Sequence, residues 1–509
     1  MTQKARLITR RSQVQILPPL LEKPRKRGFS VLWIVISKAN FCPTFCLWLT
    51  RFVTSHPVFA FQETDARQSS GRRVGVSRHR VGHVREERAS SELPHDVSSA
   101  LPTEAGAFRF WLKLGMISFG GPAGQIGIMH AELVEKRRWI SERRFLHALN
   151  FCMALPGPEA QQLASYIGYS MYGVRGALTA GGLFVLPSFV LLCVMSAIYV
   201  EYGEVAAIAG IVRGLGAAVI ALVAAAVLRV GGRVIHTPAA LALAVAAFGM
   251  LVVGVPFPLI VALAALAGYT AARSRRALLG KPSSHGDDDS GEPRSESGLR
   301  RRFVKTLVVW LVPLSLLLLA GGLVAELAGF FTLAALVTFG GAYAVLPFVA
   351  DAAVNRFGWL SADDMVAGLA LGESTPGPLI MVNTFVGFLA GYNVEGGLPW
   401  GLAGATIATF CTFAPSFVFI VSGAPLVDRV RTTGAFASSL NGITIAVVGV
   451  IAALAVFVAR HAAFADGEPD WLVIALAIAG FVAVVRYKIG VVPVIVTCAV
   501  VGLVASGVA

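Results

Sequence analysis

Long apolar stretches recur along the chain after its first hundred residues. Seven of them approach or exceed the roughly 20 residues that an α-helix needs to cross a bilayer, and they lie at 176–200, 205–228, 238–272, 304–325, 401–424, 438–459 and 471–508. Pro256 interrupts the third stretch, and Arg486 and Lys488 interrupt the last. The pattern predicts an all-α polytopic membrane protein with about 10–13 membrane segments.

The composition supports this prediction and excludes a large soluble core. Hydrophobic residues make up 56% of the 509 residues, and charged residues make up only 14%. The net charge of +14 comes mainly from the first hundred positions and from loops between apolar stretches, which is typical of the cytoplasmic loops of membrane proteins. We therefore expect a multi-pass protein of the cell inner (plasma) membrane, and no nucleic-acid partner.

Residues 1–104 differ from the rest of the chain. They are basic and irregular, their best apolar run (31–36) is soon followed by Lys38, and no methionine occurs between Met1 and Met116. Residues 10–19 resemble the translation of a tRNA-like stretch upstream of a true start. We expect a basic N-terminal extension that is either disordered or a start-site artefact.

A polar segment divides the membrane part of the chain in two. Residues 273–303 combine three consecutive aspartates and several arginines with Ser, Gly and Pro, which is the composition of a solvated, flexible linker. We expect this linker to be cytoplasmic. The membrane part then comprises a first repeat at 105–272, an extra transmembrane helix at 304–326 and a second repeat at 327–509.

The two halves carry the same motifs in the same order. Ser-Phe-Gly-Gly at 118–121, Trp-Ile-Ser at 139–141 and Pro-Gly-Pro at 156–158 recur as Thr-Phe-Gly-Gly at 338–341, Trp-Leu-Ser at 359–361 and Pro-Gly-Pro at 376–378, all 220 residues later. Pro-Ser-Phe at 187–189 and Arg-Gly at 213–214 recur as Pro-Ser-Phe at 415–417 and Asn-Gly at 441–442, both 228 residues later. Five ordered blocks indicate an internal duplication.

The loops of the two halves carry opposite charge. The loop before the first Pro-Gly-Pro motif has five basic residues between 136 and 144, whereas its counterpart has Arg356 beside three aspartates. The loop after the first Pro-Ser-Phe block has Glu201 and Glu204, and its counterpart has Arg429 and Arg431. Because Lys and Arg favour the cytoplasmic side, this pattern predicts inverted-topology repeats, with the extra helix turning the second half over.

The repeated motifs are suited to binding an anion. A helix cannot continue through Pro-Gly-Pro, so a half-helix starts there with its N–H groups and positive dipole end facing the interior. We expect helix-break re-entrant hairpins at these motifs, because irregular backbone at membrane depth must line a cavity. The predicted substrate-binding residues are Ser118, Gly120, Gly121, Pro156, Gly157, Pro158, Thr338, Gly340, Gly341, Pro376, Gly377 and Pro378. The alternative is that these residues only kink helices or let them pack closely.

Ionisable residues in apolar surroundings add further candidates, because they are costly unless paired or functional. Glu159 follows the first Pro-Gly-Pro motif and Glu373 precedes the second, so each is a candidate for proton coupling; Glu159 could equally cap a helix. Arg213 and its counterpart Asn441 are candidate substrate contacts, against a structural or snorkelling role for Arg213. Gln125, Gln161, Gln162 and Asn383 could add neutral donors to the site.

At these residues the chain resembles the chromate ion transporter family, in its long two-domain form. The resemblance is carried by 108–124, 154–161, 338–341 and 373–378, and it covers about residues 105–509. No phosphate-binding loop, nucleophile elbow or metal-ligand cluster is present in the sequence, so we expect neither an enzyme nor a cofactor. The residues alone reach only an anion transporter.

The resemblance implies export of chromate across the cytoplasmic membrane, chromate resistance, and coupling to protons or to the membrane potential. Expected partners are chromate, with sulfate as an analogue, and the lipid bilayer; a homodimer stays open. Two alternatives also stay open: a sulfate-type oxyanion importer using the same site, and an anion channel or membrane sensor subunit.

Overall fold

A computed structural model of the chain describes residues 102–273, 296–424 and 434–508, except Gly120 and Asp466. Most of the predicted N-terminal extension and of the predicted linker therefore lies outside the described residues, as do Arg429 and Arg431. The regular secondary structure of the described part is helical apart from two paired two-residue strands, Phe464–Ala465 and Glu468–Pro469. This confirms the all-α prediction.

The helices of the two halves follow one another in chain order. In the first half they are α1 (Glu104–Ile117), α2 (Gly121–His130), α3 (Glu142–Ala154), α4 (Glu159–Tyr202), α5 (Ala206–Val234), α6 (Pro238–Val252) and α7 (Phe257–Arg273). They continue as α8 (Glu296–Leu319), α9 (Gly322–Leu336), α10 (Leu346–Asp351), α11 (Ala362–Ser374), α12 (Val382–Gly391), α13 (Leu398–Gly423), α14 (Gly434–Ala462), α15 (Trp471–Val485) and α16 (Val491–Val508). Short π-helical turns at Ala131–Lys136 and Ala352–Arg356 precede α3 and α11.

Four of the described helices, α4, α5, α13 and α14, are long and apolar enough to cross a membrane. Six shorter apolar helices accompany them. The predicted interruptions are confirmed, because α6 and α7 separate around Pro256, and α15 and α16 separate around Arg486 and Lys488. Proline removes a backbone donor and clashes with the preceding turn.

Helix α4 reverses direction inside its 44 residues. The backbone angles of Tyr172 and Gly173 are not helical, and Gly173 has a φ of 61°. A Cβ added to Gly168 would meet the backbone of Gly176, and one added to Gly181 would meet the Ser165 hydroxyl. These contacts are those of two antiparallel helices, 159–171 and 174–202, which pack closely through small residues.

The apolar stretch at 304–325 does not form the single extra helix 304–326 that the sequence predicts. Helix α8 ends at Leu319 and α9 begins at Gly322. Gly321 and Gly322 lie between them with positive φ angles of 72° and 54°, a conformation that glycine adopts at little cost. Helix α9 corresponds to α1 of the first half, since each leads directly into a Phe-Gly-Gly motif.

The long helix of each half packs against the last two helices of the other half. Helix α5 lies against α15 and α16, and α14 lies against α6 and α7. A Cβ on Gly214 would meet the backbone of Cys498, and a Cβ on Gly442 would meet that of Ala264. Glycines at equivalent positions thus allow equivalent close contacts between helices. The long helices α5 and α14 are therefore each packed against helices of the other half.

Candidate functional site

The repeated motifs of the two halves meet in reciprocal contacts. The Gly157 N–H donates to the carbonyl oxygen of Thr338 over 2.8 Å, and the Gly377 N–H donates to that of Ser118 over 2.7 Å. Each Pro-Gly-Pro motif therefore lies against the Phe-Gly-Gly motif of the other half. We call this meeting point the crossing, defined by 118–121, 156–158, 338–341 and 376–378; of these residues, Gly120 lies outside the described part.

Glycine is required at the centre of each Pro-Gly-Pro motif. Gly157 and Gly377 have φ angles of 124° and 112°, which residues with a side chain rarely adopt. A Cβ on Gly157 would collide with the hydroxyl of Ser416, and a Cβ on Gly377 would collide with that of Ser188. Backbone conformation and space thus both exclude a larger residue.

The hydroxyls of Ser118 and Thr338, like the N–H groups of Gly157 and Gly377, already have protein partners. Ser118 donates from Oγ to the Leu114 carbonyl, and Thr338 donates from Oγ1 to the Ala334 carbonyl, each over 2.6 Å. Helix α4 starts directly after Pro158, and a 3-10 turn, Leu379–Met381, leads from Pro378 into α12. The first N–H groups of such helix starts have no acceptor within the helix. Those helix starts are the donor groups that the crossing offers to an anion.

Polar side chains from neighbouring helices form hydrogen bonds with the backbone of the crossing. Gln125 donates to the carbonyl oxygens of Ser118, over 3.3 Å, and of Gly377. Gln162 donates to the Pro156 carbonyl over 2.7 Å and to Ser416 Oγ over 3.3 Å.

The hydroxyl of Ser188 makes the corresponding contact on the second motif, where it donates to the Pro376 carbonyl. The sequence alone predicted no role for Ser188 and Ser416. Their recurrence in the two Pro-Ser-Phe blocks was the available signal.

Several buried amides near the crossing retain an oxygen without a partner among the described residues: Gln125, Gln161, Gln162 and Asn383. Gln161 and Asn383 each donate to a hydroxyl, Ser165 Oγ over 3.0 Å and Thr412 Oγ1 over 3.1 Å. A hydroxyl can donate as well as accept. A half-turn of either amide therefore keeps the bond and turns two N–H donors towards the space that the oxygen faced.

The two acids occupy different settings beside the crossing. Glu159 is the first residue of α4, directly after Pro158, and it is partly buried. Glu373 is 7% exposed and accepts a hydrogen bond of 2.6 Å from the Tyr343 hydroxyl. The Tyr343 ring lies beside Gly121, where an added Cβ would be 3.8 Å from Cε2. The second acid is thereby linked to the Phe-Gly-Gly motif of the first half.

Arg213 and Asn441 take no part in the contacts of the crossing described above. Arg213 Nε lies 2.5 Å from Asp470 Oδ2, and the arginine side chain is 50% exposed. Asp470 also caps α15 by accepting from the N–H groups of its first turn. Asn441 adjoins Gly442 on α14, where that helix packs closely against α7. Their role as substrate contacts therefore stays a prediction that the geometry of the crossing does not support.

Comparison with known proteins gives a consistent result. The sequence profile of the chromate transporter family matches residues 105–269 and 325–503, more than half of the chain. No solved structure matches the chain.

Three curated relatives are named as chromate transport proteins. The chain is 32% identical to the chromate transport protein of Pseudomonas aeruginosa, over 69% of this chain and 80% of the relative. It is 28% identical to that of Cupriavidus metallidurans, over 69% and 82%, and 29% identical to a probable chromate transport protein of Synechococcus elongatus, over 69% and 84%. With its long apolar helices, the chain is an integral membrane protein, and it belongs to the chromate transporter family.

Proposed function

We propose that this chain is a secondary active transporter that exports chromate from the cytoplasm across the plasma membrane and thereby confers chromate resistance. Its family, the names of its relatives and its apolar helices support transport across a membrane. The opposite loop charges of the two halves support an inverted-repeat arrangement, with the linker at 273–303 in the cytoplasm.

The pair of reciprocal hydrogen bonds between the halves is the observation that carries this proposal. Residue pairs that exchange places in this way are those of a two-fold relation. Two half-helix starts, after Pro158 and after Pro378, then face one site from opposite sides. In inverted-repeat transporters such half-helices hold the substrate near the middle of the membrane.

The proposed site binds a dianion mostly through neutral groups. The helix starts contribute unpaired N–H groups, and the amides of Gln161 and Asn383 can turn further donors inward. Glu159 and Glu373 are the acids beside the crossing. A dianion is repelled by an ionised carboxylate at short range, so substrate and a bound proton stabilise each other. A proton bound together with the dianion leaves a net negative charge, which the inside-negative membrane potential drives outward, and it makes transport depend on the proton gradient.

Uptake of radiolabelled chromate into everted membrane vesicles tests the proposal, because transport into an everted vesicle corresponds to export from the cell. We expect saturable uptake that depends on an imposed proton gradient, with sulfate acting only as a competitor. Absence of chromate uptake would defeat the proposal. Accumulation of sulfate in right-side-out vesicles, without chromate export, would favour an oxyanion importer instead. Uptake that shows neither saturation nor counterflow would indicate a channel.

A further inference from the structure

Helices α3 and α11 occupy equivalent places in the two halves but differ in their surroundings. Each starts after a serine cap, Ser141 or Ser361, and each ends just before a Pro-Gly-Pro motif. They are 13 residues long and 220 residues apart. Because the two helices have the same length and position in their halves, a difference in their burial reflects different packing around them and not a different fold.

Helix α11 is enclosed, whereas α3 is open on one side. All nine residues from Met365 to Glu373 are buried. Val366 lies against α5, since a Cβ on Gly216 would be 3.7 Å from its Cγ1. In α3 the buried residues are Phe145, Ala148 and Cys152, which follow the helical period and form a single face.

Equivalent positions show the difference directly. Leu146 is 44% exposed and its counterpart Val366 is 6% exposed. Asn150 is exposed, whereas its counterpart Ala370 is 1% exposed. The contact that α11 makes with α5 through Val366 thus has no buried equivalent at Leu146.

The open side of α3 carries polar residues beside the exposed apolar Leu146 and Met153, and it leads to the crossing. Arg143, His147 and Asn150 follow one another at helical spacing, and Arg143 and Asn150 are exposed. A helix of 13 residues is about 20 Å long, and α3 ends immediately before the first Pro-Gly-Pro motif. Polar and ionisable side chains are costly against lipid and normally face a water-filled space. This face therefore fits a wall of an aqueous path.

Charge distinguishes the outer ends of the two helices. Residues 136–144, which lead into α3, contain five basic residues and one acid; the matching residues 356–364 contain one basic residue and two acids. A basic rim raises the local concentration of an approaching anion. The basic rim and the open helix face occur together, at the same end of the first half.

We propose that the open face of α3 lines a water-filled entrance through which a small oxyanion reaches the crossing from the cytoplasm, and that the matching entrance beside α11 is closed in this conformation. The identity of the anion and the cytoplasmic side rest on the proposed function. The lining residues are Arg143, Leu146, His147, Asn150 and Met153. In the opposite state α3 would close and α11 would open.

Cysteine accessibility at paired positions tests the entrance. Asn150→Cys and Ala370→Cys are compared, and Leu146→Cys and Val366→Cys form a second pair. Each is placed in a background whose native cysteines are replaced by alanine and which retains membrane insertion. A charged, membrane-impermeant maleimide is added to everted vesicles. We expect the α3 variant of each pair to react roughly 10-fold faster or more, because a buried thiol is shielded from the reagent.

Two results would overturn the entrance. Equal rates within both pairs would show that α3 is no more open than α11. Reaction of the α3 variants with an apolar, membrane-permeant maleimide alone would show that this face meets lipid. Labelling does not require transport, so a failure of chromate uptake with the expected labelling would defeat the proposed function and leave the entrance standing. Chromate uptake with unreactive α3 variants would do the reverse.

Discussion

The two halves match closely in their contacts at the crossing, but they match less closely in the residues around it. At the crossing, the same hydrogen bond occurs twice, from Gly157 to Thr338 and from Gly377 to Ser118. Outside it, Glu373 and Tyr343 of the second half stand where the first half has Met153 and Ala123. We infer that the duplicated crossing forms the common site and that the unmatched residues assign different tasks to the two halves.

The largest expected effect on chromate uptake comes from substitutions in the two Pro-Gly-Pro motifs, which the halves share. Gly157→Ala and Gly377→Ala each place a Cβ against a serine hydroxyl in a backbone conformation unfavourable for alanine. A combined cost of about 3 kcal/mol corresponds to a roughly 100-fold loss, so we expect chromate uptake in everted vesicles to be abolished while membrane insertion persists. Gly182→Ala, which meets nothing within 4 Å, serves as the control. Wild-type uptake in both motif variants would refute a site formed by the two motifs.

The unmatched acid is expected to produce the next largest effect. Glu373→Gln should remove the dependence of uptake on a proton gradient, because an amide cannot exchange the proton. Tyr343→Phe loses one hydrogen bond of about 1–2 kcal/mol, so it should slow uptake roughly 5–30-fold and keep the gradient dependence. Uptake is measured with and without an imposed pH difference. Glu326→Gln, on an exposed side of α9, is the control; gradient-dependent uptake by Glu373→Gln would contradict the coupling role.

A smaller effect on chromate uptake is expected from the basic residues at the outer end of α3. Replacing Arg143 and Arg144 together by glutamine should lower the uptake rate about 2–5-fold at low ionic strength, with the deficit shrinking as salt screens the rim. The initial rate is measured across a salt series. Arg233→Gln, an exposed base at the end of α5, should leave both the rate and its salt dependence unchanged. Salt-independent loss in the rim variant would exclude electrostatic attraction.

The smallest effect is expected at Arg213. Asp470, its ion-pair partner, is 7% exposed and would still cap α15. Because the arginine side of the pair is half exposed, the pair contributes about 1 kcal/mol to stability. Arg213→Gln should therefore keep more than about half of the wild-type uptake, measured at matched protein levels. A loss comparable to that of the glycine variants would restore Arg213 as a substrate contact.

The sequence predicted the helix breaks that proline or charge imposes, such as those at 156–158 and around Pro256. It did not predict the division after Leu319, which lies inside the apolar stretch 304–325, where hydropathy carries no signal and a single glycine is common. The reversal at Tyr172 and Gly173 lies between the predicted re-entrant hairpin and the apolar stretch that begins at residue 176. The end of α3 at Ala154 and the start of α4 at Glu159 followed directly from the motif between them.

The site itself was only partly accessible from the sequence. The repeat identified the two motifs, but not that each would pair with the opposite motif of the other half, because such pairing depends on tertiary packing. Gln125 has no equivalent in the second half, so repetition could not single it out. The sequence also favoured Arg213 for its charge in an apolar helix, and the structure provides Asp470 as the partner that accounts for this charge.

Equilibrium binding of radiolabelled chromate to the purified protein tests the central claim most directly, since it counts sites per chain. If both halves build one site at the crossing, the wild-type chain binds one chromate, and either Gly157→Ala or Gly377→Ala removes it completely. Binding of two chromate ions per chain, with one retained in each variant, would show that each half forms its own site and would contradict the account.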